Sequence, residues 1–150
     1  MIKRVLFNYS HLDLLELQPE YESLLDYDGV RFVLKILPQP NADALTLMYD
    51  GRIIACFGYI QVLPGVAEVW LLPSIYMGTC FIPLVKEVDG YLKSTAEIFK
   101  WHRIQTVTQD IEQHRKWMQV LGFVEEGVMK KYLKGNDYVM SARYFDWSKP

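Results

Sequence analysis

The chain has 150 residues, 51% of them hydrophobic and 14% aromatic, with a formal net charge of −2. That length fits one domain with a sizeable core, and the apolar content excludes a disordered chain. The near balance of charge excludes a general attraction to nucleic acid or to an anionic membrane, and no apolar run is long enough to span a bilayer.

Residues 2–7 (IKRVLF) read as a short strand. Ser10-His11-Leu12-Asp13 resembles the capping box of a helix start, and Leu12, Leu14 and Leu15 give that helix an apolar side. Pro19 opens a second helical stretch with Tyr21, Leu24 and Leu25, and Asp28 caps a further turn or two through Phe32 and Leu34. Leu37-Pro38-Gln39-Pro40-Asn41 ends it, because proline cannot continue a helix and restricts the residue before it. Strand signals follow. Leu45–Tyr49 leads to Asp50-Gly51, a tight-hairpin dipeptide, and then to a long strand over Ile53–Val62. A turn at Leu63-Pro64-Gly65 precedes Val66–Leu72, the third of three successive antiparallel strands, and residues 73–80 read as a loop.

The period then changes. Phe81, Leu84, Val85, Val88, Tyr91, Leu92, Thr95, Ala96 and Phe99 recur at helical steps, which predicts an amphipathic helix over Phe81–Phe99 with Pro83 in its first turn. Ile104–Thr108 is a strand, Glu112–Leu121 a helix, and Phe123–Leu133 and Tyr138–Phe145 two strands around the turn-rich Lys134-Gly135-Asn136-Asp137. Cys56 and Cys80 lie among apolar residues without paired spacing, so two reduced, buried thiols are expected in a cytoplasmic protein, rather than a disulfide. The opening MIKRVLFNYSHLDLLEL lacks the apolar core and small-residue cleavage site of a secretory leader, which fits the same compartment.

The expected order is β-α-α-β-β-β-α-β-α-β-β over a single α+β domain, 1–150. Its strand, long helix, strand unit places one parallel crossover in an otherwise antiparallel mixed sheet. This order, with VAEVWLL as fourth strand, Phe81–Phe99 as the helix behind it, and WMQVLGF as an aromatic-rich helix ending in Leu-Gly-Phe, resembles the GNAT N-acetyltransferase fold. Gly122 has a physical role in that ending, since it lets the chain leave the helix in a left-handed conformation. Trp70-Leu71-Leu72, the helix with no glycine-rich loop before it, and the Trp-containing helix ending in LGF are similar to a phage-encoded GNAT-like family related to an internal virion protein.

The resemblance implies acetyl-CoA bound beside the fourth strand, in a gap opened where the fourth and fifth strands part just past Trp70. The pyrophosphate would sit on backbone N–H groups of the following loop, helped by the helix dipole. Leu71 and Leu72 on the strand, and Met77, Gly78, Thr79 and Cys80 in the loop, are the implied cofactor positions. The family's loop carries a basic or Gln residue and then spaced glycines. Here Met77 stands where Arg or Gln is expected and Cys80 where a glycine is expected, so the loop reads either as a degenerate cradle or as an ordinary helix-capping turn.

Acyl transfer to an amine needs a deprotonated nucleophile and a protonated leaving thiolate. The resemblance implies Glu68 as the base. Its place among apolar strand residues suits that role, because burial disfavours a charged carboxylate, but it fits equally the solvent side of an alternating strand. The family's usual tyrosine acid falls four residues before the Gly122-Phe123 pair, where this chain has Met118, and a thioether has no proton to give. Tyr76, Tyr132 and Tyr138 are conceivable substitutes. Two functions follow from the resemblance. One is an acetyl-CoA-dependent acyltransferase acting on an amine acceptor in the host-cell cytoplasm. The other is a catalytically inactive GNAT-like structural protein of a phage virion, whose partners are phage structural proteins or a second copy of itself. No metal is expected, since His11, His102 and His114 form no helical pair. The aromatic tail from Tyr144 to Pro150 is expected to dock on a neighbouring subunit.

Overall fold

The computed structural model describes residues 1–148; Lys149 and Pro150, the end of the aromatic tail, lie outside them. β1 (Lys3–Leu6) leads into a 3-10 turn, Tyr9–Asp13. A capping box is present, but it starts at Asn8 rather than Ser10. The Asn8 side chain accepts the Ser10 N–H at 2.9 Å, and His11 Nδ1 accepts the Asn8 N–H at 3.2 Å. Asparagine is as good a cap as serine, and the imidazole nitrogen takes the place of the usual carboxylate. α1 (Pro19–Glu22), a 3-10 turn over Ser23–Asp26, and α2 (Asp28–Lys35) follow; Tyr27, not Asp28, is the N-cap residue of α2.

β2 (Ala42–Tyr49), β3 (Arg52–Leu63) and β4 (Val66–Pro73) run slightly longer than the sequence predicts. Asp50 and Gly51 both take positive φ, 52° and 75°, as a tight hairpin with the twist of its flanking strands requires. The expected loop after β4 contains a 3-10 turn, Met77–Cys80. α3 (Phe81–Phe99) buries Leu84, Val88, Leu92 and Ala96 along one stripe. β5 (Arg103–Gln109), α4 (Glu112–Val120), β6 (Val124–Leu133) and β7 (Asn136–Tyr144) complete the order. The β6–β7 link is tighter than its composition implies: Leu133 pairs with Asn136 across Lys134 and Gly135, both at positive φ.

Seven strands pair in the order β1-β2-β3-β4-β5-β7-β6. β4 and β5 are the parallel pair, and β1/β2, β2/β3, β5/β7 and β6/β7 are antiparallel. The α+β class and the single parallel crossover therefore stand as read from the sequence.

By its internal contacts the chain divides into two compact units: Met1–Ile60 with Trp70–Glu87, and Gln61–Val69 with the chain from Val88 onward. The first is built on Leu15, Tyr21, Leu34, Ile53, Cys56 and Leu72, with Trp70 packed against that cluster and edge-on to Phe7 at 6.1 Å. Gly58 makes room for the indole. A Cβ there would lie 2.4 Å from the Asp43 carbonyl oxygen and 2.8 Å from both Ala44 Cβ and Trp70 Cζ2. In the second unit Trp101 is fully buried and its Nε1 donates to Gln61 Oε1 at 2.9 Å. The described part of the tail folds back on its own unit: Trp147 Nε1 donates to the Trp101 carbonyl at 2.7 Å, and Trp147 stacks on Phe145. Cys56 and Cys80 are both free and buried.

Gly58→Ala forces a methyl against main chain and should lower unfolding stability by about 1–3 kcal/mol. Urea unfolding followed by Trp fluorescence measures this, and a native midpoint would show that the indole does not need the glycine.

Candidate functional site

The site is organised by β4. Its parallel pairing with β5 consists of Val66↔Arg103, Ala67↔Ile104 and Glu68↔Gln105, and β4 then runs on to Pro73. The pairing stops two residues ahead of Trp70, whereas the sequence placed the parting just past it. Peptide groups along a strand alternate between its two edges. The Ser74 N–H donates to Ile54 of β3 at 2.9 Å, which marks one edge. The Pro73 carbonyl accepts the Gln18 N–H at 3.0 Å and the Ile75 N–H donates to the Glu16 carbonyl at 2.8 Å, so these mark the other. Leu17 and Ser74 form an isolated antiparallel bridge there. Leu71 shares the edge of Pro73 and lies between the last β5 pair and the Leu17 bridge.

Glu68 is half-buried, and its Oε1 accepts an N–H from Gln105 Nε2 at 3.2 Å. Gln105 Oε1 in turn accepts from Arg103 Nε at 2.8 Å. The Arg103 guanidinium forks onto Glu126, at 2.8 and 2.5 Å, and the Tyr144 hydroxyl also donates to Glu126. The Arg103 hydrogen bonds, with that of Tyr144, hold the Glu126 carboxyl down at about 2. The same contact with Glu126 pushes the Tyr144 hydroxyl up. Glu68 thus ends a polar row across β4, β5, β6 and β7.

The loop uses much of its donor capacity on itself. The Tyr76 N–H donates to Ser74 Oγ at 3.0 Å, and the Met77 N–H to the Ser74 carbonyl at 3.1 Å. The Tyr76 carbonyl accepts both the Thr79 N–H, at 3.1 Å, and the Thr79 hydroxyl, at 2.8 Å. Met77 and Cys80 point inward, 1% and 3% exposed, and burial pushes the Cys80 thiol up. Leu72 belongs to the core of the first unit, while Leu71 is half-buried. Gly78 is exposed, and a Cβ there would meet nothing within 4 Å. Tyr76 lies under the Arg52 guanidinium, 4.4 Å from its ring centroid, and a hydrogen bond to Glu16 pushes its hydroxyl up. Tyr132 and Tyr138 lie ring to ring at 5.4 Å, with Tyr138 buried.

Met118 is buried on α4, and its carbonyl accepts the Phe123 N–H at 2.9 Å while the Gly122 N–H bonds the Gln119 carbonyl at 3.0 Å. With Gly122 at φ +80°, this is a Schellman ending, and the buried Met118 and Phe123 supply its apolar pair. Arg143 Nη1 completes it, donating to the Leu121 carbonyl at 3.0 Å and to Asp89 Oδ1 at 2.7 Å. Among the described residues, no three His, Cys, Asp or Glu side chains are grouped to hold a metal, and no helix is long and apolar enough to cross a membrane.

The sequence singles out Glu68, Leu71 and the loop as candidates, and gives no sign of Gln105, Arg103 or the Leu17 bridge. Gln105 and Arg103 gave no signal beyond being polar residues at alternate positions of a strand.

No family model and no curated protein matches the sequence. Solved structures do. A chimera of the Vibrio cholerae spermidine N-acetyltransferase superposes with a TM-score of 0.75 at 13% identity, covering 95% of each chain. The ribosomal-protein-S5-alanine acetyltransferase of Vibrio fischeri gives 0.71 at 16%, covering 99% of this chain and 96% of its own. An IAA acetyltransferase from Bacillus cereus gives 0.70 at 10%, covering 97% and 100%. At such identities the likeness concerns the fold: this chain has the GNAT fold.

Because the folded Glu126 carboxyl is held at about 2 against 4.5 in an isolated group, its stabilising contribution is complete above about pH 4.5 and is lost as pH falls toward 2. The melting-temperature gap between the native chain and Glu126→Gln should therefore be widest near neutral pH and shrink over that acid window. A gap independent of pH would contradict the pairing with Arg103.

Proposed function

We propose that the chain is an acetyl-CoA-dependent N-acetyltransferase, with the cofactor's pantetheine arm paired to the main chain of Leu71 and with Glu68 as the base. The observation that carries this reading is the length of β4 between the Glu68↔Gln105 pair and the Leu17 bridge, where Leu71 offers an N–H and a C=O along one edge. The pantetheine arm is an extended chain with two amides, and such a chain pairs with a strand edge as another strand would. When bound, acetyl-CoA supplies an activated acetyl thioester. An amine acceptor would bond to the acetyl carbon as the carbon–sulfur bond of that thioester broke. Glu68 takes the proton that the amine gives up, and the departing sulfur is protonated from water, since Met118 has no proton to donate.

The fit is uneven along the cofactor. Leu71 suits the amide arm. The loop suits the pyrophosphate less well: the Met77 and Thr79 N–H groups and the Thr79 hydroxyl already bond within the turn. The partner class is an acyl-CoA with an amine acceptor, in keeping with structural neighbours named as acetyltransferases of spermidine and of a ribosomal protein's alanine.

The second reading, a catalytically inactive GNAT-like protein of a phage particle, is favoured by one observation: the Tyr76, Met77 and Thr79 N–H groups bond within the turn. Calorimetry separates the two. Acetyl-CoA should bind with a Kd between about 1 µM and 1 mM, the ordinary range for an enzyme's substrate. Glu68→Gln should bind it equally well but acetylate an amine about 100-fold more slowly. Absence of heat at millimolar cofactor would remove the enzyme reading and leave the second.

A further inference from the structure

We infer that Gln105 is a positioning residue for Glu68, held to that task by Arg103; this rests on the reading of Glu68 as the base. A glutamine side chain has an accepting end and a donating end of nearly equal shape, and only its surroundings decide which faces where. Arg103 can only donate, so its Nε, 2.8 Å away, fixes the Gln105 oxygen toward itself. The NH₂ end is thereby aimed at Glu68 Oε1. Arg103 cannot easily swing aside, because its other two nitrogens are forked on Glu126. The chain of constraint runs from β6 through β5 to a carboxylate on β4.

Its position in the sheet gives the contact its consequence. Glu68 and Gln105 face each other in the last pair before β4 leaves β5. Side chains directly opposite in a sheet steady one another. Here one oxygen of Glu68 is held by Gln105, and among the described residues no donor reaches the other. One oxygen is thus a fixed pivot, and the second is left to receive a proton. A clasp that only held two strands together would need neither the defined amide orientation nor the unengaged second oxygen.

Gln105→Leu removes the donor at similar size, and Gln105→Glu replaces it with a like charge. Both are compared with the native chain and with Glu68→Gln, using acetyl-CoA and a panel of primary amines, after thermal melts show each variant folded. Both Gln105 variants should lose about 10- to 100-fold in kcat, with KM for acetyl-CoA held within about twofold. The acid limb of the Gln105→Glu rate profile should move to higher pH. In the cofactor-free protein, the carbon-13 signal of the Glu68 carboxyl should titrate at higher pH in Gln105→Glu than in the native chain. Native kcat in both variants, or an unmoved carboxyl titration, overturns the positioning role while leaving Glu68 as base. An undiminished rate in Glu68→Gln, or no turnover by the native chain, removes the base reading and this inference with it.

Discussion

The short parallel pairing between β4 and β5 is the contact on which the site depends. It opens at Gly65, whose carbonyl accepts N–H groups from both His102 and Arg103, at 2.9 and 3.2 Å. Gly65 can serve there because its φ is +77° and because a Cβ would lie 2.4 Å from the His102 ring. The pairing closes at Glu68↔Gln105. A longer ladder would have used the Leu71 edge for strand pairing. A shorter one would have left the Glu68 side chain without the residue opposite it. The same pairing closes the crossover through α3, where Glu87 bonds Arg4 and, two residues on, Asp89 bonds Arg143.

The loop after β4 and the end of α4 depart from what a GNAT enzyme's chemistry would ask, each for a structural reason. In the loop, Met77 and Cys80 are used as core residues, and the Tyr76 carbonyl gathers two donors from Thr79. That makes a self-contained turn where the family would present N–H groups to phosphate. At α4, Met118, where the sequence resemblance implies the tyrosine acid would fall, is buried with Phe123 under a Schellman ending. A buried thioether suits that packing and removes the proton donor together.

What could be read from the sequence was whatever lies within a few residues along the chain. The Phe81–Phe99 helix was legible to its bounds from its apolar period, Asp50-Gly51 from hairpin chemistry, and Gly122 from helix-ending chemistry. Element order then carried the fold. The capping box was legible in kind but not in place, because Asn8 and His11 combine as a less common pair. The Leu17 bridge to Ser74 and the Arg103–Gln105–Glu68 row join residues far apart in sequence, and no local spacing encodes them. Glu68 could be placed on the right strand, yet its partner could not be named, since that depends on the register between two strands separated by a whole helix.

The most direct measurement is amide hydrogen exchange across β4 with and without saturating acetyl-CoA. Pairing of the pantetheine arm with the strand edge should slow exchange of the Leu71 N–H by at least about tenfold, as expected when an open amide gains a hydrogen-bond partner. Unchanged exchange at Leu71, in a protein shown to bind the cofactor, would place acetyl-CoA elsewhere and contradict the role assigned to β4.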